Sequence, residues 1–181
     1  GNSVALRYRQ QIEQDSITFR LKEKIALVLH KGMKPFWDRK NIYLVYEKNS
    51  YMAQDNGYYF FKYCMDHHVE QDAHRKILYL IDPKSPNYQK LKPYQKNVLK
   101  FGSIRHMIYL KSARLLISSE TKDHAYIWRS MGSRIRHIIP MKKLVFLQHG
   151  VTAFKKNDFL IDAGKTEGWE MFVVTSEQEK N

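Results

Sequence analysis

One cysteine, Cys64, serves the whole 181-residue chain, so no internal disulfide can form and packing must supply the stability. That fits a reducing, cytosolic setting. Long apolar runs are missing as well. Stretches such as "KIALVL" and "IYLVY" fall far short of the roughly 20 residues a spanning helix needs. No charged, apolar, small-residue order at the start marks a signal peptide. The familiar cofactor and metal devices are also absent: no Gly-x-Gly-x-x-Gly after a strand, no Walker-type phosphate loop, no Cys-x-x-Cys, no His-Glu-x-x-His. "DHHVEQDAH" invites a metal reading. Yet His67 and His68 are adjacent and point different ways on a helix, while His74 lies beyond it. No tightly bound cofactor is expected, and nothing in the sequence calls for a divalent ion such as Mg. Acidic residues are few too. Eighteen Asp and Glu face thirty-one Lys and Arg, a formal charge of +13. So basic a chain suits an anionic partner: nucleic acid, an anionic bilayer face or a phosphorylated substrate.

What is present reads as a globular α/β chain. Hydrophobic residues make up 43% and aromatics 13%, enough for a core. Residues 4–31 are expected to be helical, with Ser16 capping a second segment. Ile17, Leu21, Ile25 and Val28 recur there at helical spacing beside Lys22, Lys24 and Lys31. Such a helix either packs on the core as an arm or lies on a membrane as a basic amphipathic helix. Strands are expected at 41–47, 76–82, 114–120, 143–148 and 171–177. Between them, Asp55 or Asn56 caps a helix with an apolar stripe of Tyr58, Phe61, Cys64 and Met65. Ser103 caps another, with Ile104, Met107 and Ile108 on one face. Residues 121–140 are expected to form a short helix plus an irregular basic segment. Short apolar strands alternating with amphipathic helices predict a Rossmann-like parallel sheet flanked by helices. The expected organisation is an N-terminal helical arm over 1–35, membrane-proximal in the second reading, and a Rossmann-like domain over 36–181. Ser176 and Glu179 form a capping box that starts a helix where the sequence stops, so the chain is expected to be a fragment.

Candidate chemistry clusters at strand ends, because parallel sheets bind ligands outside the carboxyl ends of their strands. Three segments leave strands with polar residues: Ser118-Ser119-Glu120, Gln148-His149-Gly150 and Thr175-Ser176-Glu177. Gly150 permits a sharp turn and close approach of a substrate. A neutral imidazole at His149 can take a proton from an attacking hydroxyl. Lys155 and Lys156 can hold a phosphate as point charges. Equally, His149 can hydrogen-bond a neighbouring loop and the lysines can be solvated. The residues alone leave both open.

"FLQHGVTAFKK", with "DNGYYFFKY" upstream and "FVVTSEQEK" downstream, resembles the CDP-glycerol glycerophosphotransferase family, the teichoic-acid polymerases and primases of Gram-positive bacteria. The resemblance spans about residues 41–181 with three motifs in order. It implies the N-terminal, acceptor-side half of a two-domain GT-B transferase, with its nucleotide-binding half beyond residue 181. It implies attack by an acceptor hydroxyl on the β-phosphorus of a CDP-polyol, with release of CMP. His149 then takes the role of general base, and Lys155 that of the motif's phosphate-contacting lysine. Asp55, Asn56 and Gly57 match its Asp-Asn-Gly segment, at a helix N-terminus suited to anionic groups. Ser119, Gln148, Gly150 and Ser176 complete the expected substrate-binding set. The implied partners are a CDP-polyol donor, held mainly by the other half, a polyanionic lipid-linked acceptor and an anionic membrane surface. The implied location is peripheral, on the cytoplasmic membrane face. Gln148 stands where many members have Trp or Leu, and Val-Thr-Ala-Phe-Lys replaces Thr-Pro-Leu-Lys. Glycerol versus ribitol, and primase versus polymerase, stay open. The runner-up is a basic nucleic-acid-binding module without catalysis. Most aromatics fall at expected buried positions, which argues against it.

Overall fold

The computed structural model describes residues 4–6, 16–69, 75–126, 132–147 and 169–173. Among these residues six strands form one sheet: β1 (Ile42–Val45), β2 (Lys76–Ile81), β3 (Val98–Lys100), β4 (Leu115–Ser118), β5 (Lys143–Leu147) and β6 (Trp169–Val173). Their order is β3-β2-β1-β4-β5-β6, and every neighbouring pair runs parallel. The helices are α1 (Ile17–Gly32), α2 (Lys34–Asp38), α3 (Asn56–Asp66) and α4 (Ile104–Ser112). The expected parallel α/β sheet flanked by helices is therefore what the chain forms.

Its apolar strands follow from burial on both faces. Side chains alternate along a strand, so Ile42, Leu44 and Tyr46 join Leu78, Leu80, Met107 and Leu110 in one core. Val45, Ile77, Tyr79 and Ile81 join Phe61, Cys64 and Ile117 in the other. Helix α3 covers the second core with Phe61 and Cys64, both from the expected stripe, while Tyr59 and Tyr63 face solvent. Helix α4 covers the first. Ser103 caps it, its hydroxyl accepting from the His106 amide at 3.1 Å.

Three details differ from expectation. Strand β3 falls in a stretch read as a connection. Its three residues follow a 3-10 segment, Pro86–Asn97, interrupted by Pro93, and so short a run carries no periodicity of its own. Between β4 and β5 the described chain makes only 3-10 turns, Lys122–Ala125 and Arg136–Ile138. The last strand sits at Trp169–Val173, two residues earlier than expected at its start.

Helix α1 differs most in meaning. It packs on α4, with Phe19, Glu23, Ala26 and His30 as its buried residues. The stripe of Ile17, Leu21, Ile25 and Val28 faces outward instead, exposed by 86, 55, 39 and 71%. The helix is an arm packed on the core, but through its other face. Glu23 explains the choice. Its Oε2 accepts from the Tyr126 hydroxyl at 2.8 Å and the Ser133 hydroxyl at 2.5 Å, and its Oε1 from the Arg134 amide at 2.9 Å. Phe19 lies alongside Tyr126, ring centroids 6.1 Å apart. Burial, with Glu23 adjacent, pushes the Tyr126 phenol far up, which keeps it a donor. A buried carboxylate with three donors is costly to remove, whereas an exposed leucine is not. Glu23→Ala is expected to lower unfolding free energy by about 3 kcal/mol, leaving buried donors unpaired. Leu21→Gln should change it by less than about 0.5 kcal/mol. Chemical denaturation of both variants checks the contrast.

His106 is fully buried. Its Nδ1 accepts from the Gly102 amide at 3.1 Å and its Nε2 donates to the Ala125 carbonyl at 2.8 Å. Gly102 has φ +73°, a conformation that favours glycine. Burial lowers the imidazole to about 4, so the folded state holds it neutral while the unfolded chain protonates it near its ordinary value of about 6.5. The stabilisation is complete above the unfolded value and is lost as pH falls toward the folded one. Melting temperature should drop between about pH 6.5 and 4, and His106→Gln should flatten that slope.

Candidate functional site

The strand order reverses at β1 and β4: the chain leaves β1 toward β2 and β3, and leaves β4 toward β5 and β6. Loops diverge at such a boundary and open a crevice at the carboxyl edge, where parallel sheets hold ligands. Two predicted residues meet there. Ser119 follows β4, and its hydroxyl donates to Asp55 Oδ2 at 3.2 Å, Asp55 being the N-cap of α3. Asn56 and Gly57 form the first turn of the same helix, Asn56 exposed and Gly57 buried.

The start of α3 is built differently from the expected anion cradle. Glu47, the second residue beyond β1 and 1% exposed, reaches into it. Its Oε1 accepts from the amides of Asp55 at 3.0 Å and Tyr58 at 2.7 Å, and its Oε2 from that of Gln54 at 3.0 Å. Asp55 Oδ1 takes the Asn56 amide at 2.8 Å. The helix dipole and these amides are thus answered by the chain's own carboxylates. Gly57 makes room for them: a Cβ there would lie 3.1 Å from Glu47 Cγ and 3.3 Å from the Tyr46 carbonyl oxygen. The glycine of the Asp-Asn-Gly segment serves an internal contact.

The β1 loop is held under backbone strain. Asn49 and Ser50 take φ of 55° and 50°, left-handed values that cost non-glycine residues about 1–3 kcal/mol each. His124, from the turn after β4, fixes both. Its Nδ1 accepts from the Asn49 amide at 2.9 Å, and its carbonyl from the Ser50 hydroxyl at 2.8 Å. With Nδ1 an acceptor, the neutral ring carries its proton on Nε2, which lies 3.6 Å from Glu120 Oε2. Ser118 links the two strand ends by donating to the Tyr46 carbonyl at 2.7 Å and accepting from the Glu120 amide at 3.0 Å. The Tyr46 hydroxyl donates to the Thr121 carbonyl at 3.2 Å, its phenol pushed far up by burial.

The crevice therefore presents carboxylates, Asp55 and Glu120, and a serine hydroxyl. Such a wall accepts hydrogen bonds from hydroxyl groups more readily than it binds phosphate. Lys90 brings positive charge to its rim, donating to the Ala53 carbonyl at 3.1 Å and lying 5.6 Å from the Tyr58 ring centroid.

Gln148, His149, Gly150, Lys155 and Ser176 lie outside the described residues. Strand β5 reaches Leu147 beside β4, with Phe146 opposite Ser118, so it ends at the edge that carries Ser119. Sequence reasoning missed Glu47, Asn49, Ser50 and His124. A lone glutamate after a strand and an "Asn-Ser" pair give no local signal, and His124 sits in a stretch without periodicity. Among the described residues no His, Cys, Asp or Glu group is arranged to hold a metal ion. His67 instead stacks on Tyr63, centroids 4.1 Å apart.

Fold and side-chain placement define a class: an all-parallel, doubly wound α/β domain with polar residues gathered at its topological switch point. Comparison with protein families, curated proteins and solved structures found no match.

Glu47→Ala should cost about 2–4 kcal/mol, because amides of the α3 start lose their acceptor. Gly57→Ala should cost about 1–3 kcal/mol by displacing Glu47. Ser119→Ala, which removes one donor to a half-buried carboxylate, should cost about 1 kcal/mol or less. Denaturant titration of the three variants reads the ranking.

Proposed function

We propose that the chain is the acceptor-side half of a GT-B-type polyol-phosphate transferase, related to the CDP-glycerol glycerophosphotransferases. The acceptor's terminal hydroxyl binds in the carboxyl-edge crevice, and the donor CDP-polyol is held mainly by a second, nucleotide-binding half. His149 removes the proton from that hydroxyl as its oxygen attacks the β-phosphorus. The new phosphorus–oxygen bond forms as the bond to the CMP oxygen breaks, and CMP departs. Lys155 steadies the phosphate, with Gln148, Gly150 and Ser176 around it, and Asp55 and Ser119 hold polyol hydroxyls. The observation that carries this reading is the meeting of Asp55 and Ser119 at the switch point, at the edge where β5 ends just before Gln148-His149-Gly150. A hydroxyl-accepting wall suits a polyol acceptor, and the chain's net charge of +13 suits a polyanionic one.

The same reading places the protein on an anionic membrane surface, where its lipid-linked acceptor resides. The outward stripe of α1 supports this. Val28, Leu21 and Ile17 stand exposed beside Arg20, Lys24 and Lys31, the pairing of apolar and basic groups that anionic bilayers favour. No helix among the described residues is long and apolar enough to cross a membrane.

CMP release from CDP-glycerol and CDP-ribitol by the full-length protein is the test. His149→Ala should lower turnover by about a hundredfold or more with melting temperature unchanged, and equal turnover would remove His149 from the mechanism. In co-sedimentation with phosphatidylglycerol vesicles, Leu21→Gln combined with Val28→Gln should weaken binding several-fold. Added salt should weaken it further.

A further inference from the structure

A second feature lies at the opposite, amino edge of the sheet and plays no part in the proposed transfer. The end of α1, helix α2, the end of α4 and the segment entering β5 line an open cleft of about 350 Å³, within the size range of small-ligand sites. Its wall carries His30, Lys34, Lys111 and Lys142, with Asp38 as the one carboxylate. Asp38 is already engaged by Lys34 at 2.6 Å. Three further basic groups from three different elements therefore converge on one cleft with no second acid among the described residues of its wall.

Part of this has a structural explanation. Lys142 donates to the carbonyls of Lys111 at 2.6 Å and Ala113 at 2.8 Å, so it answers the open carbonyls at the end of α4. Its ammonium spends two of three donors there and keeps one. Ser112, also in the wall, donates to the Ile108 carbonyl at 2.8 Å. The carbonyl contacts do not account for Lys111 and His30 facing the same space. Like charges in a confined cleft repel, and the cost is visible in both buried members. Burial and Lys111 hold Lys142 down to about 8. Burial, then Lys111, with further contributions from Lys142 and Lys34, depresses His30 against the opposing pull of Asp38. An anion in the cleft would offset that repulsion and draw protons onto both groups.

We propose that the cleft bounded by His30, Lys34, Lys111 and Lys142 is a binding site for a phosphate-type dianion, carried either on a lipid headgroup or on a soluble phosphorylated ligand. Size and charge point there together: the space exceeds that of a bare ion, and the surplus positive charge asks for more than one negative charge. Met33 and Phe36, 47 and 46% exposed, lie in the same stretch of chain as His30 and Lys34, which is why a lipid source enters the test. For an anion of constant charge, binding should tighten as pH falls, because His30 and Lys142, both held below their ordinary values, then gain protons.

The test is titration of the full chain with inorganic pyrophosphate by calorimetry at physiological salt. Saturable binding is expected, weakened about tenfold in Lys111→Ala and in Lys34→Ala, with circular dichroism confirming that both variants fold. Tyr59→Gln, on the solvent face of α3, should bind as the parent does. Sulfate, whose charge is constant over the range, should bind more tightly at about pH 6 than at about pH 9. Vesicles of phosphatidic acid and of phosphatidylglycerol then separate the sources. Stronger binding to phosphatidic acid that pyrophosphate competes away assigns a lipid headgroup, and vesicle binding indifferent to pyrophosphate assigns a soluble ligand. No saturable pyrophosphate binding at millimolar concentration, or affinity unchanged from the parent in both Lys111→Ala and Lys34→Ala, overturns the site. The CMP-release assay is independent of this result, so either idea can fail alone.

Discussion

The Glu47 carboxylate, buried beyond the end of β1, accepts from three backbone amides around the start of α3. Burying a carboxylate is unfavourable unless donors replace its water, and a helix start supplies unpaired donors. Meeting both needs at once fixes where α3 begins relative to β1. That in turn sets Asp55 within reach of Ser119 across the switch point. It also leaves little room at Gly57, where a Cβ would lie 3.1 Å from Glu47 Cγ. The loop between is drawn tight enough that Asn49 and Ser50 adopt left-handed backbone, and His124 holds them there. One carboxylate thus orders the loop, the helix and one wall of the crevice.

A second buried carboxylate plays the same part for α1. Amphipathic spacing alone would turn Ile17, Leu21, Ile25 and Val28 inward. Glu23 lies on a different face and finds three donors in the segment after β4. Phe19 and Ala26, on the same face as Glu23, find the apolar surface of α4. The sheet's own helices already cover its cores, so the apolar stripe has nothing left to bury against within the described chain. Its exposure and its basic borders give the molecule an outward surface distinct from the crevice.

The charge surplus divides by location. At the carboxyl edge the Ser119 hydroxyl meets Asp55, with Glu120 next in the chain. At the amino edge, lysines and a histidine crowd a cleft around one acid. A net charge of +13 describes neither edge. It sums an edge where Ser119 meets Asp55 and a cleft where basic groups outnumber the one acid.

The sequence by itself determined the parallel α/β class, four strand positions within a residue or two, the caps at Ser16 and Ser103, and a cap at Asp55 or Asn56. These depend on local periodicity and on hydroxyl or carboxylate groups next to a helix start, information carried by neighbours in the chain. Only the tertiary structure decided the outward turn of α1, the short strand β3, the roles of Glu47 and His124, and the cleft around Lys142. Each depends on partners far apart in sequence: Glu23 with Arg134 and His124 with Asn49. A three-residue strand such as β3 has no period to read, and its place comes from pairing with β2. Buried polar groups choose their partners after the chain has folded, so their positions are legible only in three dimensions.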